Sequence, residues 1–400
     1  MKLESIRISN FKIFKNAEMK EIPDLCVVVG ANGVGKSTLF DVFRFLKDAL
    51  TYNIDRALQV RGGFKEVISR GSKATDQIEI EIQYRMTITD YERLVTYRLE
   101  IGNDDTGKPV IKREILRYKR GSHGSPYHFL DFSEGKGYAI INEEDFKKAD
   151  TELTRENQSL ESPQTLAIKG LGQFKKFKAA NAFRQIIENW QISDFHINSA
   201  RGSKDITGDN EHLSATGDNL QLVAQKLYNH YPEIFEKILH KMQRRIPGIG
   251  AISTEETPDG RVLLKFKDGS FQDPFVDRYV SDGTIKMFAY MVLLNDPTPY
   301  QFLCIEEPGN QLYPRLLWEL AEEFRDYAQR GQGGQVFVST HSPDFLNAAR
   351  LGEVFWLEKE NGYSTIKRAS MDNQITAYMN DDDQMGWLWQ QGFFGKADPQ

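Results

Sequence analysis

Cysteine is scarce in this chain of 400 residues. Only Cys26 and Cys304 are present, and both lie in apolar, strand-like runs where a thiol behaves as a small buried hydrophobic group. The sequence therefore predicts neither disulfide bonds nor a cysteine metal site. Long apolar runs are also missing, since no stretch approaches the roughly 20 residues that a membrane helix needs. The chain begins with alternating polar and apolar residues instead of a signal peptide's apolar block, so we expect a cytoplasmic protein without membrane contact.

An excess of positive charge is absent as well. The chain has 51 Lys and Arg against 57 Asp and Glu, and its net charge of −6 argues against a generally basic nucleic-acid binder while allowing a local basic patch. Internal repeats and low-complexity segments are not found. With 40% hydrophobic residues the chain can bury a large core, and its length allows two or three domains or one domain with a large insertion.

What the chain does contain is a complete phosphate-binding pattern, G-x-x-x-x-G-K-[ST], at residues 30–37. It lies between an apolar strand, Leu25–Val29, and a helix-like run at residues 38–46. Glycines let backbone N–H groups turn towards phosphate oxygens, and a helix N-terminus adds its positive dipole. Lys36 is predicted to reach the β- and γ-phosphates and to act in catalysis, and the Ser37 hydroxyl is predicted to bind Mg²⁺. The predicted nucleotide-binding residues of this loop are Gly30, Ala31, Asn32, Gly33, Val34, Gly35, Lys36, Ser37 and Thr38.

The hydrophobic pattern changes along the chain. Alternation predicts strands at residues 3–14, 78–84 and 96–101. Residues 143–190 carry apolar side chains at helical spacings (Phe174, Phe177, Phe183, Ile186, Ile187 and Trp190), and a second helical stretch covers residues 219–245. Strands return at residues 261–267, 301–305 and 335–339, with a helix at about 315–330. We therefore predict four regions: residues 1–142 with the phosphate loop, an inserted helical region 143–250, residues 251–375, and an aromatic tail 376–400.

Two acidic residues follow the buried strand at residues 302–305. Paired carboxylates at the end of such a strand suit a Mg²⁺-assisted hydrolase, in which one holds the metal and the next polarises the attacking water. We assign Glu306 to Mg²⁺ and Glu307 to the water. The alternative is that the two acids only begin a solvated loop.

Two further segments fit the same scheme. Ser281, Asp282 and Gly283 open an apolar run, so a hydroxyl and backbone N–H groups would be presented at a helix N-terminus, a natural anion site. His341 directly follows the strand at residues 335–339, where an imidazole can hydrogen-bond the γ-phosphate or its attacking water. The alternatives are a capped turn for the first segment and a structural histidine for the second. The order of all four motifs along the chain favours the functional interpretation.

In that order the chain resembles the ABC-type ATPases of the RecF, SMC and OLD group, in particular the compact bacterial members of phage-defence and abortive-infection systems. Residues 30–37 match the Walker A loop, 281–284 the signature motif, 302–307 the Walker B strand, and His341 the switch histidine. The segments 6–12, 195–201 (as a strand) and 213–220 extend the resemblance over most of the chain.

The resemblance implies an α/β fold, an ABC-type P-loop ATPase head with a mixed β lobe and a parallel-sheet lobe. The inserted helical region has no sustained heptad of three or more repeats, so we expect no long coiled coil. It also implies Mg²⁺-dependent hydrolysis of ATP by two chains that sandwich ATP head-to-tail, with each signature loop closing over the partner's nucleotide. Two departures from the family pattern are Gly309 and Tyr313, which replace an acid and a histidine, so those two roles do not transfer. The glutamine that contacts Mg²⁺ in such heads has two candidates, Gln77 and Gln83, either of which is equally suited to an outward-facing strand position.

The favoured function is an ATPase that senses or regulates a separately encoded effector in anti-phage defence. About 60 residues follow His341, too few for the nuclease domain of OLD-type proteins. Asp381, Asp382 and Asp383 are interpreted as a solvated loop rather than metal ligands, and the aromatic residues 387–394 as packing on their own domain rather than docking a partner.

Two other functions share these motifs. A RecF-like DNA-maintenance ATPase would use the basic clusters at residues 112–113, 117–120, 169–178 and 241–245, which otherwise are solvated surface. A transporter's nucleotide-binding subunit is disfavoured, because the stretch between Ser37 and Ser281 is far longer than the helical subdomain of such heads.

Overall fold

The structure is a computed structural model that describes residues 1–73, 75–121, 125–143, 145, 147–195, 198–202, 204–205, 211–330, 334–381 and 383–395. The chain divides into two compact units. The first comprises Met1–Trp190, Leu351–Asp383 and Leu388–Gln400, and the second comprises Gln191–Arg350 and Gln384–Trp387.

The elements from Lys2 to Ser193 are mostly strands. They are β1 (Lys2–Phe11), β2 (Phe14–Lys20), β3 (Leu25–Val29), α1 (Lys36–Thr51), α2 (Ile54–Gln59), α3 (Phe64–Val67), β4 (Ile78–Ile88), β5 (Tyr91–Asn103), β6 (Pro109–Tyr118), β7 (Tyr127–Ser133), β8 (Lys136–Ile140), β9 (Arg155–Ser159), α4 (Ala167–Leu171), α5 (Lys178–Glu188) and β10 (Trp190–Ser193).

The remaining elements include the helices and strands that carry the later motifs. They are β11 (Lys204–Asp205), α6 (Leu220–His230), α7 (Pro232–Arg245), β12 (Ile249–Glu256), β13 (Arg261–Asp268), β14 (Phe275–Val276), α8 (Asp282–Leu294), β15 (Phe302–Glu306), α9 (Pro314–Gln329), β16 (Gln335–Thr340), α10 (Pro343–Ala348), β17 (Val354–Glu360), β18 (Tyr363–Arg368), α11 (Asn373–Asn380) and α12 (Met385–Gln390).

The first unit contains an eight-stranded antiparallel sheet in the order β2-β1-β4-β5-β6-β7-β8-β9. Alternation along β4 places Ile78, Ile80 and Ile82 in the core and Glu79 and Glu81 on the half-exposed face, as a period of two requires. Helix α5 packs on the buried face, where the rings of Tyr97 and Phe183 lie 4.8 Å apart. The unit also pairs β3 in parallel with β17, which pairs antiparallel with β18.

The second unit pairs β15 in parallel with β16, with Glu306 opposite Ser339. Every residue of both strands is buried, which explains their continuous apolar sequences. Helix α8 is buried from Thr284 to Leu294. Strands β11, β12 and β14 each pair with β13. Strand β15 ends at Glu306, the first residue of the acidic pair, and β16 ends at Thr340, directly before His341.

Four predicted elements differ from the structure. The strand predicted at residues 3–14 is β1 and the first residue of β2, separated by a turn at residues 12–13. The helical stretch at residues 219–245 is broken into α6 and α7, because Pro232 lacks the N–H that would continue the first helix and instead opens the second. Trp190 belongs to strand β10 rather than to a helix, and Phe174 and Phe177 precede α5. The strand predicted at residues 195–201 is partly outside the described residues, and its described residues are not in a strand.

The division into four regions that the sequence predicts stays a prediction. The two compact units of the structure have different boundaries. The boundary falls at Trp190 because residues 155–188 belong with the first sheet: β9 pairs with β8, and the first N–H groups of α4 bond to Glu114 on β6.

Candidate functional site

The phosphate-binding pattern forms a tight loop between β3 and α1 in the first unit. Gly33 and Gly35 have φ values of +78° and +102°, a region that side chains with a Cβ rarely adopt. A Cβ on Gly30 would lie 2.5 Å from Val34 Cγ2, and one on Gly35 would lie 2.7 Å from Ile13 Cγ2. Backbone conformation therefore favours glycine at positions 33 and 35, and close packing favours glycine at positions 30 and 35.

Lys36 is the first residue of α1 and lies inside this loop. Its side chain is buried, and the ammonium group donates to the carbonyl oxygens of Gly30 at 2.5 Å and Ala31 at 3.3 Å. Asn32, Gly33 and Ser37 are exposed, so the tip of the loop and the serine hydroxyl are open to solvent. No acidic residue lies in the first turn of α1, which leaves the helix dipole available to an anion.

The acidic pair lies in the second unit at the end of β15. Glu306 is buried and closes the strand, whereas Glu307 is in the left-handed region with φ +43°. A non-glycine residue in this region is uncommon and carries strain that its surroundings must hold. The Glu307 N–H donates to the Ser339 carbonyl at 2.9 Å, which ties the residue to the end of β16.

Glu307 and His341 are in direct contact. The Glu307 carboxylate lies 2.8 Å from His341 Nδ1 and also accepts a bond of 3.3 Å from the His341 backbone N–H. The imidazole is 53% exposed and the carboxylate 23%, so water has access to the pair. A carboxylate that fixes an imidazole is an arrangement suited to handling the proton of a water molecule.

Ser281 caps the N-terminus of α8, where its hydroxyl accepts from the Thr284 N–H at 3.3 Å. Gly283 lies against the Gln311 carbonyl oxygen, which a Cβ at that position would approach to 2.9 Å. Together with residues 311–316, the Ser281–Thr284 loop lines a cavity of about 920 Å³ that is also bordered by Arg244, Arg245 and Glu319. The predicted signature loop is thus an exposed edge of a large cavity in the second unit.

Comparison with known proteins gives the family. A family model described as "AAA domain, putative AbiEii toxin, Type IV TA system" matches residues 25–347. The chain belongs to this AAA-domain family. Its fold is that of an ABC-type P-loop ATPase head.

Among curated proteins, this AAA-domain chain is similar to the DNA replication and repair protein RecF of Renibacterium salmoninarum, with 23% identity over 119 residues. That match spans 29% of this chain and only 27% of the relative.

Among solved structures, the AAA-domain chain is similar to an SMC head bound to the C-terminal winged-helix domain of ScpA, with 14% identity and a TM-score of 0.51 over 92% of this chain and 98% of the other. An SMC head with an extended coiled coil from Pyrococcus furiosus, bound to the C-terminal domain of ScpA, has 12% identity and a TM-score of 0.50 over 95% and 99%. These likenesses show the fold, which is the predicted P-loop ATPase head.

Helix length and the loop after β15 are two further features of the described residues. Among the described residues the longest helices, α1 and α9, have 16 residues each, so no long coiled coil is seen in that part of the chain. No described helix has both the length and the apolar character needed to cross a bilayer. In the loop after β15, Gln311 adopts φ +68° and Tyr313 is 74% exposed.

The structure gives little support for a metal-binding role of the candidate glutamines or of the acidic run at residues 381–383. Gln83 lies on the half-exposed face of β4, and Gln77 directly precedes that strand. Asp382 is outside the described residues, and within the described ranges no group of three or more His, Cys, Asp or Glu is close enough to bind a metal.

Sequence reasoning gave no role to two basic residues of this AAA-domain site. Arg201 donates to the carbonyl oxygens of Arg278 at 2.8 Å and Val280 at 2.7 Å and pairs with the Asp282 carboxylate, so it holds the loop before α8. Lys286, on α8, donates to the Glu307 and Asn310 carbonyl oxygens. The one available signal for Lys286 was a single charge at the start of an apolar run.

Proposed function

We propose that this chain is a Mg²⁺-dependent ATPase that closes head-to-tail as a dimer around ATP and regulates a separately encoded effector in anti-phage defence. The observation that carries the hydrolytic part is the contact between the Glu307 carboxylate and the His341 imidazole at the end of β15 and β16. The polar, solvent-accessible pair lies at the carboxyl ends of parallel strands, where α/β folds place their chemistry.

The roles follow from the chemistry of each group. The loop of residues 30–37 binds the phosphates through backbone N–H groups, and Lys36 leaves the carbonyls of Gly30 and Ala31 to bind phosphate oxygens. Ser37 and Glu306 offer oxygen ligands of the kind that Mg²⁺ prefers, and the ion would neutralise phosphate charge. Glu307 accepts the proton of the attacking water, while His341 holds the carboxylate and contacts the γ-phosphate or the water.

The dimer is supported by the position of the signature loop. Ser281 and Asp282 are exposed beside the cavity of about 920 Å³, and Tyr279 and Tyr313 nearby are each 74% exposed. Asp282 lies in the first turn of this helix, but its carboxylate pairs with Arg201, so the exposed N-terminus remains suited to a phosphate brought by a second copy of the chain. Closure around ATP and release after hydrolysis would make the dimer a switch.

The comparisons support the defence and partner-binding parts of the proposal. The description of the matching family names a putative AbiEii toxin of a Type IV toxin–antitoxin system, which favours a defence role, and the SMC heads with this fold were solved bound to ScpA domains, which favours a protein partner. The aromatic tail gives no support to a partner, because Phe394 packs against Trp356 and Trp389 at ring distances of 5.6 and 6.0 Å, in line with the interpretation of the tail as packing on its own domain.

Binding to DNA in the manner of RecF is the second candidate, and the partial match to RecF favours it. The basic clusters do not, because their members are largely engaged within the chain. Arg113 pairs with Asp131, Arg120 with Asp150, and Arg245 with Glu323. Steep loss of DNA binding with added salt would support this candidate, and no binding at low salt would remove it.

The test of the proposal is Glu307→Gln. We expect kcat for ATP to fall by about 100-fold or more, because a neutral amide does not accept the proton, while ATP-dependent dimers persist in light scattering. Glu79→Gln is the matched control, since Glu79 is 22% exposed and pairs with Arg98 on the first sheet. Unchanged turnover in Glu307→Gln would remove this residue from the hydrolytic role, and a monomer with ATP and Mg²⁺ would remove the dimer. Copurification with a neighbouring gene product tests the effector.

A further inference from the structure

Lys286 is a buried cation that the hydrolytic scheme above does not use. It is the fifth residue of α8 and only 3% exposed, and it is the single charged residue between Thr284 and Leu294. Its ammonium group donates to the Glu307 carbonyl at 3.2 Å and the Asn310 carbonyl at 3.0 Å. Both acceptors belong to the loop that follows β15, so this side chain joins the signature helix to the acidic pair.

Keeping a cation in this position is unfavourable in itself. Burial lowers the pKa of Lys286 to about 8, against the opposing attraction of Asp194 and Glu307. A methionine would fill the same space in an apolar helix without that penalty. The bonds to the two carbonyls are therefore the physical reason for a lysine here.

Lys286 bonds to the loop after β15, whose strained backbone at Glu307 needs stabilising contacts. Glu307 has φ +43°, and its N–H is fixed by the Ser339 carbonyl on one side while its own carbonyl is fixed by Lys286 on the other. Without the ammonium group, two partly buried hydrogen bonds to carbonyl oxygens are lost and the strained backbone is free to relax. Any relaxation rotates the Glu307 side chain away from His341.

We propose that Lys286 is a positioning residue that fixes the main chain of Glu307 and so couples the signature helix to hydrolysis. The inference rests on the proposed function, since it takes Glu307 as the group that accepts the proton. Because α8 begins at the Ser281 loop, a shift of this helix when the loop engages a nucleotide moves Lys286 and the Glu307 carbonyl with it. Association and hydrolysis are then linked through one side chain.

The experiment compares Lys286→Met with Lys47→Met. Lys47 is a matched control, because burial also lowers its pKa and its ammonium also donates to a backbone carbonyl, that of Trp190 in the first unit. For Lys286→Met we expect kcat to fall about 10- to 100-fold, as a displaced catalytic group requires, with KM and ATP-dependent association within about twofold of wild type. Lys47→Met should keep the wild-type kcat.

A double mutant separates positioning from a general structural role. If Lys286 acts through Glu307, adding Lys286→Met to Glu307→Gln causes no further loss of turnover, whereas independent effects would multiply. Lys286→Gln, which keeps a hydrogen-bond donor, should recover part of kcat and also serves if the methionine variant does not fold.

The inference is overturned if Lys286→Met keeps the wild-type kcat while Glu307→Gln loses it, or if the double mutant falls by the product of the two losses. If Glu307→Gln itself keeps wild-type turnover, it is the proposed function that fails.

Discussion

The phosphate loop of the first unit and the Glu307 loop of the second reach left-handed backbone conformations by different means. In the first, the conformation belongs to Gly33 and Gly35, for which it carries little strain. In the second, it belongs to Glu307 and Gln311, with φ values of +43° and +68°. Distant residues hold that loop: Ser339 and Lys286 bond to the Glu307 main chain, and His341 bonds to its carboxylate.

The difference shows where each piece of chemistry is encoded. A phosphate-binding loop is specified by neighbouring residues, because backbone N–H groups do the binding and glycines permit the required turns. A catalytic carboxylate must have its position and its proton affinity set by surroundings that come from other elements of the fold. The first loop therefore tolerates changes elsewhere in the chain, and the second does not.

The largest effect is expected from Gly35→Ala in the locally encoded loop. Alanine at φ +102° is strained by about 1–2 kcal/mol, and its Cβ would also lie 2.7 Å from Ile13 Cγ2. The loop must change shape and lose its phosphate-binding geometry, so we expect ATP affinity to fall by about 100-fold, which calorimetry measures directly.

Gly33→Ala is the control for this change. It has a similar φ of +78°, but a Cβ there meets nothing within 4 Å. Strain alone should weaken ATP binding by about 10-fold. Equal losses in the two variants would contradict the role given to packing against Ile13.

An effect of comparable size, on stability instead of ATP binding, is expected at Glu114, a distant contact within the first unit. This buried carboxyl accepts bonds from the Tyr97 hydroxyl at 3.0 Å and from the Ala167 and Ile168 N–H groups at the start of α4. Burial raises the pKa of Glu114 from 4.5 to about 7 despite these bonds. Because the folded pKa lies above the unfolded one, the folded chain binds more protons between those pH values, and this group's contribution to stability is lost as pH rises towards 7.

The measurement is the free energy of unfolding across pH 4.5 to 8 for wild type and Glu114→Gln. A difference between pKa values of 4.5 and about 7 corresponds to about 3 kcal/mol, so wild type should lose about that much relative to the variant as pH rises. Glu79→Gln should run parallel to wild type. A gap between wild type and Glu114→Gln that does not change with pH would contradict the assignment.

The difference between features set by neighbouring residues and features set by distant residues also explains which parts of the molecule the sequence predicts. The phosphate loop and the buried strands β15 and β16 follow from patterns within a few residues. The fold class is implied by the family resemblance that the order of the four motifs indicates, and the family and the related folds confirm it. The break at Pro232 was missed because apolar spacing continues across it, although proline is a local signal. The roles of Lys286 and Arg201 were missed because their hydrogen-bond partners lie 21 and about 80 residues away in sequence. The periodicity of apolar residues does not predict contacts between residues so far apart in sequence.

The smallest effect, and the opposite one in sign, is expected from Gln311→Gly in the loop held by distant contacts. Gln311 is exposed and has φ +68°, so glycine relieves strain there without removing a buried side chain. Glycine's larger unfolded-state entropy offsets part of this gain, and we expect the free energy of unfolding to rise by about 0.5–1 kcal/mol. Gln311→Ala removes the side chain beyond Cβ but keeps the Cβ that causes the strain, so it should give no gain. If both variants are destabilised equally, the Gln311 side chain contributes to stability in its own right. The conformation would then be set by that side chain instead of being imposed by the surrounding fold.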